Sequence, residues 1–161
     1  MLEFVMCYFV LVRALLRKQF RYIPMSILTV GYLLFLTQSL RGNHVFIQHH
    51  DLSRMVEWCL LILLFASVLY ACLKRDAAGK LHPAPAVFCG LTCVARISRT
   101  ILFNAYLSKL SEPGADVLST HDEYYSYYQF TNALTGLFIF LMLACIVWHL
   151  YREPKIQSAA E

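Results

Sequence analysis

Charge is the scarcest resource of this chain. Of 161 residues only 15% are charged while 59% are hydrophobic, and the mean hydropathy is +0.56. Soluble domains carry about 25% charged and about 45–50% apolar residues, so a water-soluble globular domain is excluded. Acid is scarcer still: within the long apolar stretches Glu57 is the single carboxylate. No cysteine lies in a polar loop, because Cys7, Cys59, Cys72, Cys89, Cys93 and Cys145 all sit in hydrophobic segments. That excludes a disulfide framework of the secreted kind and makes the thiols small hydrophobes. The sequence also has no internal repeat, low-complexity tract or asparagine glycosylation sequon. A nucleophile with its base at motif spacing, a phosphate-cradling glycine loop and a zinc-protease helix are likewise missing. The expectation is a non-enzymatic protein without a resident metal or cofactor.

Four apolar stretches approach the roughly 20 residues that a bilayer crossing needs: 22–40, 55–73, 86–107 and 130–151. The predicted fold is all-α and polytopic, a four-helix transmembrane bundle over 22–151. An N-terminal interfacial helix over 1–21 precedes it and an inner-side tail over 152–161 follows. Basic residues are segregated by side. Arg13, Arg17, Lys18, Arg21, Lys74, Arg75, Lys80, Arg152 and Lys155 fall on one side, and Arg41, Arg54 and Lys109 on the other. This asymmetry puts both termini in the cytoplasm or matrix, so the expected location is a mitochondrial or bacterial inner membrane. The net charge of +4 thus sets topology and implies no nucleic-acid partner. An ordered tail at 156–161 is expected where neighbours hold it.

The first 21 residues are apolar from Phe4 to Val12 and then basic, the reverse of a secretory signal. Arg13, Arg17 and Arg21 recur every four residues along one helical face, so they are read as inner headgroup or partner contacts. A fifth span is the alternative, although about 12–15 apolar residues are marginal for crossing. Pro24 opens the first span. Gly79, Pro83 and Pro85 punctuate the inner loop Lys74–Pro85, and Glu112-Pro113-Gly114 marks a turn in the long outer loop Ser108–Tyr128. Tyr22, Tyr70, Trp148 and Tyr151 form an inner aromatic belt, and Trp58, Tyr124, Tyr125, Tyr127 and Tyr128 an outer one. Ala133, Gly136 and Ala144 give the last span a small-residue stripe of the kind used for close helix packing.

The candidate site is on the span 86–107. Cys89, Thr92, Cys93, Arg96, Arg99 and Thr100 share one helical face with Asn104 at its margin, opposite Val87, Leu91, Val94, Ile101 and Ala105. Such a face meets protein, water or ligand rather than lipid tails. Arg96 lies roughly 15 Å from the inner edge by helical rise, too deep for easy snorkelling, whereas Arg99 is placed to reach outward. By depth Glu57 is expected to pair with Arg99, leaving Arg96 to hydroxyls, backbone carbonyls, a lipid headgroup or an acid from another subunit, with Thr131, Asn132 and Thr135 of the last span able to help only in the outer third. His44, His49, His50, Asp51, His121, Asp122 and Glu123 offer loop ligands for a metal, but solvated loop residues are the commoner outcome of such a pattern. His149 lacks the second intramembrane histidine that haem ligation within the chain requires.

The leading expectation is a non-catalytic accessory subunit of a larger integral membrane complex, with energy-converting assemblies the best-populated setting. The partners are then membrane subunits that neutralise Arg96, together with membrane lipid, and a bound phospholipid fits the same residues. Two alternatives remain open: an ion or proton conductor lined by Arg96, Arg99 and Glu57, and a quinone- or lipid-binding membrane anchor.

Overall fold

The computed structural model describes residues 2–40, 50–74, 81–111 and 117–157, without the side chains at 39–40, 50–51, 117–120 and 153–157. Among the described residues the chain is entirely helical. It forms α1 (Leu2–Leu16), α2 (Tyr22–Leu40), α3 (His50–Leu73), α4 (Ala84–Leu110) and α5 (Val117–Gln157). The turn at 112–116, the inner-loop residues Arg75, Gly79 and Lys80, the histidines His44 and His49, and the tail from 158 lie outside the described residues.

Three helical segments are long and apolar enough to cross a bilayer: Leu52–Leu73, Ala84–Leu110 and His121–Arg152. The described apolar part of α2, Tyr22–Gln38, is shorter. At 1.5 Å per residue all of α2 rises about 28 Å, close to the roughly 30 Å of a hydrocarbon core. Every helix packs on its neighbours in sequence, and α1 closes on α5, so the five form a ring. Cys7, Val10 and Ala14 of α1 enter the shared core with Tyr22, Met25 and Tyr32 of α2, Leu61, Leu64 and Val68 of α3, and Ile139, Met142 and Ile146 of α5.

The outside of the ring is apolar too. Ile62, Leu63, Val87, Val94, Ile101 and Leu137 are exposed, a surface that suits lipid and not water. Hydroxyls in the apolar helices bond back into their own backbones: Ser26 to Tyr22, Thr29 to Met25, Ser67 to Leu64, Thr92 to Phe88 and Thr135 to Thr131. Where no water can serve a polar group, satisfaction within the helix removes most of its desolvation cost.

Helix α1 ends in a six-residue reversal. The Gln19 N–H donates to the Ala14 carbonyl at 2.8 Å and the Lys18 N–H to the Leu15 carbonyl at 3.2 Å, the paired bonds of a Schellman cap. Lys18 takes the left-handed position with φ of 54°, where glycine is the usual occupant. Because the helix stops at Leu16, the four-residue spacing of Arg13, Arg17 and Arg21 does not describe one face. Arg21 is 2% exposed, and its Nη1 donates to the carbonyls of Ala71 and Lys74 at the end of α3. A cation there meets the negative end of the helix dipole and otherwise unpaired carbonyls. The headgroup role expected for Arg21 is therefore corrected: it is an internal cap joining α1–α2 to α3. Arg13 and Arg17 are half-buried.

At the outer end, the loop expected over Ser108–Tyr128 is mostly helix. Helix α4 continues to Leu110, α5 begins at Val117, and the two antiparallel ends are joined by stacked rings. Tyr106 and Tyr124 lie 4.5 Å apart with planes 19° from parallel, Phe103 sits 5.8 Å from Tyr124, and Lys109 reaches Glu123 at 3.4 Å. Offset aromatic stacking contributes about 0.5–1.5 kcal/mol per pair beyond burial, enough to keep these turns wound.

A candidate anion site at the outer end of the ring

The antiparallel course of α3, α4 and α5 decides which charges meet. Running inward along α3 and outward along α4 brings Glu57 level with Arg96, and the return along α5 brings Asn132 beside both. Arg96 Nη2 forms an ion pair with Glu57 Oε1, and its Nη1 donates to Asn132 Oδ1 at 3.0 Å. Arg99 Nη1 donates to the same oxygen at 3.4 Å, and its guanidinium lies 4.5 Å from the centre of the Tyr128 ring. Arg96 is 2% exposed and Glu57 is 15% exposed at the side chain, so the pair is largely desolvated and its members depend on each other.

The expected pairing of Glu57 with Arg99 is thereby overturned. Helix α3 begins at His50 and not at 55, so Glu57 lies about two turns inside its helix and comes level with the deeper arginine. The deep arginine takes the acid, and the shallower one is left with a neutral amide, the Tyr124 hydroxyl and the face of Tyr128. Asn104, counted at the margin of the polar face, is exposed and away from the cluster. Thr100 lines the adjoining cavity, its hydroxyl donating to the Arg96 carbonyl at 3.1 Å.

A cavity of about 230 Å³ opens beside the pair, lined by Glu57, Arg96 and Arg99 together with Arg54, Trp58 and Tyr128, among others. Arg54 was not singled out from sequence, yet it stands one helical turn outward of Glu57 as Arg99 stands one turn outward of Arg96. Its guanidinium rests 4.8 Å from the centre of the Phe103 ring. The i, i+3 spacing of Arg54 and Glu57 was a usable signal. Asn132, expected to help only in the outer third of the last span, is the amide that meets both arginines.

Donors outnumber acceptors here. Asn132 Oδ1 already serves two guanidiniums, while the buried Asn132 Nδ2 has no hydrogen-bond partner. Tyr32, 0% exposed and within electrostatic reach of Arg96 and Glu57, also has a buried hydroxyl without a partner. Guanidinium and amide N–H groups only donate, while a phenol both donates and accepts, so the surplus of arginine over acid is what favours a negative acceptor.

Other expected features resolve differently. All six cysteines are free, with Cys7 and Cys89 buried but Cys59 on the outer surface of the ring. No metal-holding group of His, Cys, Asp and Glu occurs among the described residues. His121 lies 3.7 Å from Asp122. Tyr22 is buried in the core, whereas Trp148 and Tyr151 are exposed as a belt requires. A Cβ added at Gly136 would meet nothing within 4 Å, so the small-residue stripe makes no close contact there inside the ring. The chain matches no protein-family model, no curated protein and no solved structure.

Proposed function

We propose that this is a non-catalytic integral membrane protein, an accessory subunit whose outer-end cavity receives an acidic group from another component of the membrane. One observation carries the reading: at the cavity Arg54, Arg96 and Arg99 stand against Glu57 among the described residues, and Glu57 is committed to Arg96. A cation held in low dielectric without a counter-charge is expensive, so an external acid stabilises the protein that binds it. The demand for an external partner thus falls on Arg99 and not on Arg96. In this reading α2 to α5 cross four times with the basic ends in the cytoplasm or matrix, in keeping with the charge asymmetry. Helix α1 docks between α2 and α5 without crossing. Energy-converting assemblies of an inner membrane remain the setting that the composition favours.

The conductor alternative gains no support from the packing. Inward of the ion pair, Met25, Leu64, Val68, Met142 and Ile146 are each at most 1% exposed, and the buried hydroxyls of Ser26, Thr29, Ser67 and Thr92 donate to carbonyls of their own helices.

The test is purification of the full chain in mild detergent with identification of what accompanies it. Wild type should bring down a membrane component that is lost in Arg99→Leu while the variant still folds. A monomer that is folded, stable and free of any bound protein or lipid, and unchanged by Arg99→Leu, would contradict the proposal.

A further inference from the structure

Resting on that reading, we propose that the acidic group is the phosphate of an anionic phospholipid in the outer leaflet, clasped between Arg54 of α3 and Arg99 of α4. Both arginines lie one helical turn, about 4.5 Å of rise, outward of the buried Glu57–Arg96 pair. Arg54 is also two residues from Leu52, where the apolar span begins. Measured on α3, this is the level at which a headgroup phosphate would meet the hydrocarbon boundary. Trp58, Tyr124 and Tyr128 wall the cavity at the same height, as interfacial aromatics do.

The chemistry favours phosphate. Each of the two guanidiniums rests on an aromatic face, Arg54 on Phe103 and Arg99 on Tyr128, and a stacked guanidinium keeps its donors in its own plane for a bidentate acceptor. Guanidiniums on two different helices can each take one of the two charged, tetrahedrally splayed oxygens of a phosphodiester, with its ester and headgroup hydroxyl oxygens beside them. Size decides which part of the lipid enters. At about 230 Å³ the cavity is below the roughly 300–1,000 Å³ that enclose a whole drug-sized ligand, so it takes a headgroup and leaves the acyl chains against the apolar outer face of the ring.

The experiment uses native mass spectrometry and thermal unfolding of the full chain, delipidated in mild detergent. It is then offered phosphatidylglycerol, phosphatidylcholine or inorganic phosphate. Arg54→Gln is the primary variant, because it leaves the Glu57–Arg96 pair intact. Arg54→Lys and Lys109→Gln serve as controls for charge and for cationic surface outside the cavity. Wild type should retain phosphatidylglycerol at least about tenfold better than phosphatidylcholine, the scale of one charge-assisted contact, and unfold at a higher temperature with it. Arg54→Gln should lose that preference, Arg54→Lys should keep part of it, and Lys109→Gln should keep it all. Equal stabilisation by inorganic phosphate would overturn the lipid source. Equal retention of both lipids by wild type would overturn the proposal, and co-purification of a protein partner that depends on Arg99 would show that the broader reading stands without it. If neither lipid nor protein binds, both readings fall together.

Discussion

Arg96 and Arg99 differ by one turn of helix and by the whole of their electrostatic situation. Arg96 is buried with an acid and an amide, so Arg96→Leu strands Glu57, and removing one member of a buried pair typically costs about 3–5 kcal/mol. Arg99→Leu removes a longer bond and a ring contact but also a cation that has no acid of its own, so the expected change in the isolated chain is small, within about 1 kcal/mol of zero. Unfolding the variants in detergent should rank them in that order. The double variant Arg96→Leu/Glu57→Leu should recover most of the loss, because coupling between contacting residues runs to about 0.5–3 kcal/mol. Equal costs for the two arginines would reject the pairing. Cys7 gives a pH test at this scale. Burial first, and then the nearby Glu3 carboxylate, pushes its thiol from the ordinary 9.0 up to about 12. The unfolded chain releases this proton first, so the Cys7 contribution is flat below pH 9 and stability falls as pH rises from 9 to 12. Cys7→Ala should flatten that alkaline slope. The same thiol should resist alkylation at neutral pH while the chain is folded.

Among the elements, the reversal after α1 shows most plainly what the sequence conceals. A Schellman cap ordinarily advertises itself by glycine, and here Lys18 holds the left-handed position. No local signal therefore marked the helix end, and the arginine spacing was read straight across it. Lys18→Gly should raise stability by about 1 kcal/mol by relieving that conformation, measured as a shift in the unfolding midpoint. No gain, or a loss, would mean that the Lys18 side chain contributes more than its backbone costs. Apolar run length made the helices of the two middle spans and of the last span legible, and Pro83 and Pro85 marked the start of α4 within two residues. The outer ends of α4 and α5 were not legible, because tyrosine and charge read locally as loop. The winding there comes from rings that meet across two helices, Tyr106 on Tyr124 above all. Tyr124→Ala should therefore loosen this end and raise its amide exchange while the inner core, centred on Leu64 and Met142, stays protected.

For the molecule as a whole, composition was enough to exclude a soluble domain and to find a membrane protein, while closure of the ring by α1 on α5 is written in no run or motif of the sequence. The cation cluster was half visible: Arg96, Arg99 and Glu57 stood out by residue type, but their partnership did not. Which acid meets which arginine depends on the register between antiparallel helices, and a one-turn error exchanges the partners. Asn132 was legible only as a polar group of the outer third, and the role of Arg54 was not legible at all, because an amide and a juxtamembrane arginine acquire meaning only from what faces them. The same logic corrected Arg21, whose buried contact with the end of α3 ties the first two helices to the rest. Arg21→Ala should cost about 1–3 kcal/mol by uncovering those carbonyls and should leave the outer cavity intact.

The most direct measurement is an electron cryomicroscopy map of the full chain in nanodiscs of phosphatidylglycerol and phosphatidylcholine, resolved well enough to show what touches Arg99. The expected result is density outside residues 1–161, a lipid phosphate or a partner's acid, in contact with the Arg99 guanidinium, while Glu57 stays on Arg96. A cavity holding only water, or Arg99 closed onto an acid of its own chain, would contradict the account.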